Sequence, residues 1–226
     1  MTVKVSFNAD GDGAVVTRIV TTDKVIVVPE EIDGMPVHAI GPAFLSESRG
    51  GGGRRLVIPA CVTDIDPSAL EGTMGISSID YGGELETFGS FKLVNSNDCV
   101  LSCRNRGRDF RFEFMADYPM SFPEFDEAVL GLYMRLTPEV ALSRLAEPVG
   151  LTEENRAKYE RFISDRIMPR AVQAVSSGNR AALEELLSAG MLDDAALMDL
   201  LDRSARSGRI AMTSAIMSMI RRRSEM

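Results

Sequence analysis

Short apolar runs separated by polar turns dominate the first half of the chain, and the runs recur. Leu56-Val57-Ile58-Pro59 is followed 23 residues later by Ile79-Asp80-Tyr81-Gly82, and Ile26-Val27-Val28-Pro29 precedes it by 30. A short strand returning at such a period predicts a solenoid, whose units bury their apolar faces only by stacking on one another. Alternation along a strand then assigns faces. Ile26 and Val28, Leu56 and Ile58, and Ile79 and Tyr81 point inward, while Val27, Val57 and Asp80 point out.

The flanks of this region also alternate. Val3, Val5 and Phe7 predict a strand that stops at Asn8-Ala9-Asp10-Gly11, and Val15 to Val20 supplies the return, so a hairpin caps the first unit. Cys99-Val100-Leu101 suggests a later strand. Phe110-Arg111-Phe112-Glu113-Phe114 is the clearest strand signal, its apolar face closing the open end of the stack.

Beyond residue 116 the period lengthens to about 3.6. Phe125, Val129, Leu132, Tyr133 and Leu136 fit one helix. Thr137-Pro138-Glu139 is a start signal for a second, with Thr137 as N-cap and Val140, Ala141, Leu142 and Leu145 as its buried stripe. A longer helix begins after Thr152, turns Tyr159, Phe162, Ile163 and Ile167 inward, and is expected to kink or break at Pro169. Ser177-Gly178-Asn179 returns 30 residues later as Ser207-Gly208-Arg209, each between two helices. Leu183, Leu186, Leu187, Leu197, Leu200, Leu201, Ile216 and Ile220 form the expected core.

Two resemblances follow from these segments. Val27-Val28-Pro29, Val37-His38-Ala39-Ile40-Gly41 and Ala43-Phe44, with Leu56-Val57-Ile58-Pro59, Val62-Thr63-Asp64-Ile65-Asp66 and Ala69-Leu70, resemble the BspA-like leucine-rich repeat family over about 25–115. Asp66, Leu70 and Gly82 depart from that family's usual Gly, Phe and Pro. Ala181-Ala182-Leu183-Glu184-Glu185-Leu186-Leu187-Ser188-Ala189-Gly190 resembles the second helix of an ankyrin repeat, giving ankyrin-like helix pairs over about 168–221. The Thr-Pro-Leu-His turn that opens a standard ankyrin unit is absent.

Composition narrows the function. A 45% hydrophobic content supplies ample core, and a net charge of −8 argues against nucleic acid, since phosphate binding rests on Lys and Arg. The basic run Arg221-Arg222-Arg223 reads as a favourable helix end. No apolar run approaches the roughly 20 residues that span a bilayer, and the N-terminus lacks the apolar core of a secretory signal, so a cytoplasmic protein with no membrane contact is expected. Three cysteines, Cys61, Cys99 and Cys103, make no disulfide framework. Cys99 and Cys103 would lie on the same side of a strand about 13 Å apart, which suits buried thiols better than zinc. The lone histidine, His38, reads as a surface residue and leaves nucleophilic catalysis without its usual base. Asp10-Gly11-Asp12-Gly13 reads as a turn. Gly50 to Gly53 lacks the Lys-Ser/Thr of a phosphate loop.

The sequence therefore predicts an α+β chain: a short leucine-rich-repeat β solenoid with an N-terminal β cap (residues 1–115) followed by an all-α helical-repeat domain (116–226). The expected role is non-catalytic, with no catalytic residue, cofactor or metal. An unidentified protein partner would be bound through the outward residues Val27, Val57 and Asp80. Two alternatives stand beside it, a small-ligand receptor or enzyme with a site near residues 100–125, and a self-associating subunit, a homo-oligomer using the exposed valines and the terminal Met-rich helix; Met191, Met198, Met212, Met217 and Met219 read first as adaptable core and, where exposed, as a second candidate surface.

Overall fold

The computed structural model describes residues 3–132, 136–188, 192 and 194–224, with backbone alone for 132, 223 and 224. The readings of Tyr133, Ala189, Gly190 and Met191, and of the Leu132 and Arg223 side chains, lie outside the described residues. The chain divides into two compact units, residues 1–129 and 130–226.

In the first unit the chain passes back and forth between two sheets. One sheet holds β1 (Lys4–Asp10), β2 (Gly13–Val20), β5 (Met35–Ile40), β4 (Glu31–Ile32) and β7 (Asp64–Ile65); the other runs in the order β10 (Arg108–Phe114), β9 (Cys99–Asn105), β8 (Ile76–Glu84), β6 (Arg54–Ile58), β3 (Val25–Val27). Within the second sheet β3, β6, β8 and β9 are all parallel, and Ile26, Leu56, Ile79 and Leu101 stand in one register row. This is a β-solenoid-like arrangement in which each coil adds one rung. The inward residues are as alternation predicts: Ile26, Val28, Leu56, Ile58, Ile79 and Tyr81 are all buried. The expected hairpin is present, β1 pairing antiparallel with β2, and it extends the first sheet through β5.

Three departures from the repeat have local physical reasons. Proline lacks a donor and stops a rung soon after it begins, as Pro29 and Pro59 do; Gly82 imposes no such stop, and β8 continues to Glu84. A Cβ on Gly82 would also come within 2.8 Å of the Ala60 amide nitrogen, so the close approach of adjacent coils requires glycine there. Asp66 accepts hydrogen bonds from the Ser68 amide (2.8 Å) and hydroxyl (2.6 Å), which stabilise the turn and hold its carboxyl below the usual range. Leu70 is buried in the place of phenylalanine.

A polar interior was not legible in the sequence. Thr21, Ser48, Thr73 and Asn95, each in a loop before a rung, are all buried. The Ser48 hydroxyl accepts from the Thr21 amide at 3.1 Å and donates to the Ile19 carbonyl at 2.6 Å, while Asn95 Nδ2 donates to the Ile76 and Asn97 carbonyls. Thr21, Ser48 and Asn95 thus bond backbone groups at corners where neither sheet supplies a partner, whereas the Thr73 hydroxyl and Asn95 Oδ1 are buried without a hydrogen-bond partner among the described residues.

The boundary between the units falls fourteen residues later than the expected 115/116. The reason is aromatic. β10 pairs antiparallel with β9 and buries Phe110, Phe112 and Phe114 on one face, where Phe112 and Phe114 meet the Phe125 ring at centroid distances of 5.4 and 5.2 Å. Segment 116–129 thus completes the first core. Helix α1 (Leu85–Ser90) adds a second cluster, with Phe88 and Phe91 around Tyr81, whose hydroxyl donates to the Val62 carbonyl.

α2 (Glu124–Leu132) spans the boundary, and the second unit continues with α3 (Pro138–Ala146), α4 (Glu153–Ser177), α5 (Arg180–Ser188), α6 (Asp194–Arg206) and α7 (Ile210–Ser224). Thr137 and Thr152 cap α3 and α4, accepting from the Val140 and Asn155 amides. The predicted α3 stripe needs correcting. Ala141 is buried, but Val140, Leu142 and Leu145 are only half-buried, and the second buried residue is Arg144. Its guanidinium donates to the Glu147 and Val149 carbonyls past the helix end, so it closes the C-terminus from within. Pro169 does not break α4, which runs unbroken for 25 residues. Pro169 itself is exposed while Ala171, Ala174 and Val175 beyond it are buried, so packing of the second half outweighs one lost hydrogen bond. Phe162, expected inside, is half-exposed beneath the Arg166 guanidinium at 4.8 Å.

The 30-residue return of Ser-Gly is a structural repeat. Gly178 (φ 74°) and Gly208 (φ 66°) are left-handed, and in each turn the next residue's amide bonds the carbonyl five positions back, Asn179 to Ala174 and Arg209 to Ser204. Two helix pairs result. α4 with α5 stacks on α6 with α7, α4 against α6 and α5 against α7.

Candidate functional surfaces

The parallel register aligns the three outward positions singled out by the sequence. Val27 is paired with Val57 and Val57 with Asp80, and the row continues through Ser102 to Arg111. Its members are not equally open. Val27 is 57% exposed at the β3 edge of the sheet, whereas Val57 is half-buried, so the expected pair of bare valines is one bare valine and one partly covered. Asp80 is also half-buried, and its carboxylate meets Arg55 Nε in a salt bridge. An exposed pair of this kind contributes little stability and orients both groups.

Sequence reasoning missed Val25. It has the same parity as Val27 and is 51% exposed, heading the next row, Val25, Arg55, Ser78, Val100 and Glu113. The outer face thus carries two exposed valines at one edge, an Arg55–Asp80 ion pair behind them, and charged Arg111 and Glu113 at the far edge. Such a face offers apolar contact flanked by fixed charge.

The methionines expected to cluster separate in the second unit. Met212 is buried and Met219 half-buried, while Met198 and Met217 are more than half exposed. Met217 joins Ile210, 83% exposed, along a groove of about 560 Å³ that also includes Ala205, Ser214 and Arg221.

The cysteines, the histidine and a buried arginine lie elsewhere in the first unit. Cys99 and Cys103 are both buried on the inner side of β9, and burial pushes their thiols up to about 12. Cys61 is exposed, its thiol raised by partial desolvation and then by Glu30. His38 is half-buried rather than bare, its Nε2 3.7 Å from the Asp10 carboxylate beside the first hairpin. Arg54 is fully buried and donates at 3.3 Å to the Thr21 and Asp23 carbonyls, joining two coils; desolvation lowers its pKa, against the field of Asp23. Among the described residues no group of three or more His, Cys, Asp and Glu could hold a metal ion, and no helix is long and apolar enough to cross a membrane. No protein-family model matches the chain, and no curated protein or solved structure matches it.

Proposed function

We propose that the chain is a non-catalytic, cytoplasmic protein–protein interaction module built from BspA-like leucine-rich and ankyrin-like repeats. The observation that carries this reading is the outer face of the second sheet, where Val25 and Val27 remain open at the edge of rows aligned across five strands. Covering a valine stabilises a complex by about 1.5–3 kcal/mol at most. Two of them with Val57 and Val100 behind give a small apolar centre, and Arg55, Asp80, Arg111 and Glu113 give its charged rim, the composition of a modest protein interface.

The test uses the full chain carrying a photocrosslinking residue at position 27 or 57, with the exposed Glu71 position as control. A discrete crosslinked protein is expected from 27 and 57 and not from 71, and Val25→Lys with Val27→Lys should weaken that complex tenfold or more. Equal labelling from all three positions, or a complex indifferent to the lysines, would refute the reading.

A further inference from the structure

Arg54 stands where the repeat fills the next rung with an apolar side chain. It shares the inward parity of Leu56 and Ile58 and is fully buried, and its register partner in β8 is Ile76, also fully buried. Leaving a buried charge uncompensated is costly, and apolar side chains of similar volume commonly pack as well or better, so burial by itself does not explain the arginine. Its guanidinium is incompletely matched. Nε and Nη2 donate to the Asp23 and Thr21 carbonyls at a long 3.3 Å, and Nη1 has no hydrogen-bond partner among the described residues. Asp23 acts on it only through its field, without an ion pair.

The cover over this cation is glycine backbone. Gly50, Gly51, Gly52 and Gly53 are all exposed and lead into β6. A Cβ on Gly50 would come within 3.1 Å of both Arg54 Cδ and Nε and 3.5 Å of Cζ, so the loop lies directly on the guanidinium, whereas a Cβ on Gly51 or Gly52 would meet nothing within 4 Å. The exposed Lys24, from the preceding coil, reaches the same loop and donates to the Gly52 carbonyl at 2.6 Å. Four successive glycines are ordered at high entropic cost, and one exposed lysine contact restrains them weakly. A thin, easily displaced cover therefore lies between two cations.

We infer that the corner formed by Lys24, the 50–53 loop and Arg54 binds a phosphate-type oxyanion, the loop lifting from Arg54 to admit it. The free edge of the guanidinium, Nη1 with the second N–H of Nη2, presents two parallel donors that suit two oxygens of one phosphate. Lys24 exchanges the Gly52 carbonyl for a third oxygen, and the glycine amides approach without side chains to hinder them. The two cations take the place of the Lys-Ser/Thr that the loop lacks. In a chain of net charge −8 the long-range field opposes an anion, so binding rests on these contacts and is weakened by Asp23. This inference does not depend on the sheet surface proposed above.

Inorganic phosphate is titrated into the full chain carrying isotope-labelled glycine, against sodium chloride of equal ionic strength. The amide resonances of the 50–53 loop are expected to shift saturably with phosphate alone, with a dissociation constant on the order of a millimolar, while the exposed Gly107 stays unmoved. Arg54→Leu, which copies the apolar character of Ile76, and Lys24→Gln should each weaken binding at least about fivefold. Gly50→Ala places a methyl against Arg54 and should weaken it too; Gly52→Ala, with open space around it, should not. Asp23→Asn should tighten it. The lysine and glycine variants change exposed positions, so they test the site even where Arg54→Leu does not fold. O-phosphoserine separates the sources: tighter binding than phosphate assigns the site to a phosphorylated side chain, equal or weaker binding to free phosphate. Loop amides that respond alike to phosphate and chloride, or phosphate binding unchanged in both Lys24→Gln and Gly50→Ala, would overturn the proposal.

Discussion

Alanine at Gly178 and at Gly208 should have unequal costs, although the two residues close equivalent turns. Both are left-handed, at φ 74° and 66°, and an L-residue in that conformation costs about 1 kcal/mol relative to glycine. The surroundings differ. A Cβ on Gly178 would collide with Arg209 Nη1, whereas a Cβ on Gly208 would meet nothing within 4 Å. The collision displaces Arg209 from the Ser176 carbonyl, a bond by which the second pair's turn closes the end of α4. For an exposed, charge-assisted contact at a helix end about 0.5–1 kcal/mol is reasonable. Gly178→Ala should therefore cost about 1.5–2 kcal/mol and Gly208→Ala about 1 kcal/mol. Urea unfolding followed by far-UV circular dichroism reads the helical transition. In an Arg209→Ala background the two costs should converge, which makes the set a double-mutant cycle. Equal costs in the parent protein, or a difference that survives removal of Arg209, would refute the coupling of the two helix pairs through this side chain.

Two further predictions address the first unit. Leu56→Ala, between Ile26 and Ile79 in the buried register row, should cost about 3 kcal/mol, and Val57→Ala less than about 1 kcal/mol; the reverse order in a urea titration would mean that the rung is turned over by one residue. A thiol reagent at pH 8 should titrate Cys61 alone in the native protein and all three cysteines in denaturant. Cys99 and Cys103 are raised to about 12 from 9.0, so the stability they contribute is whole below about pH 9 and is lost as pH rises toward 12; three rapidly reacting native thiols would contradict that burial.

The repeat, the inward residues of each rung and the Thr137 and Thr152 caps were legible because each depends on a pattern a few residues long. The two Ser-Gly turns were legible for the same reason, since a left-handed C′ position asks for glycine wherever it occurs. Side chains whose partners are distant in sequence were not. Arg54, Ser48 and Asn95 have residue types normally read as surface, and carbonyls brought to them by segments 19 to 33 residues away make their burial tolerable. The candidate surfaces divide in the same way. The parity of Val27, Val57 and Asp80 named the outward row, but its openness at Val27 and closure toward Val57 depend on β3 being the sheet edge.

The amino-acid sequence alone determined which residues alternate, where helices begin, and that both halves are built by repetition, because periodicity and capping are local properties of the backbone. Tertiary structure decided where the first repeat gives way, at an aromatic cluster that draws residues 116–129 into the first core, and how the helix pairs stack, α4 against α6 and α5 against α7. Both depend on long-range packing, where rings and buried carbonyls meet across tens of residues, and a local pattern carries no record of them.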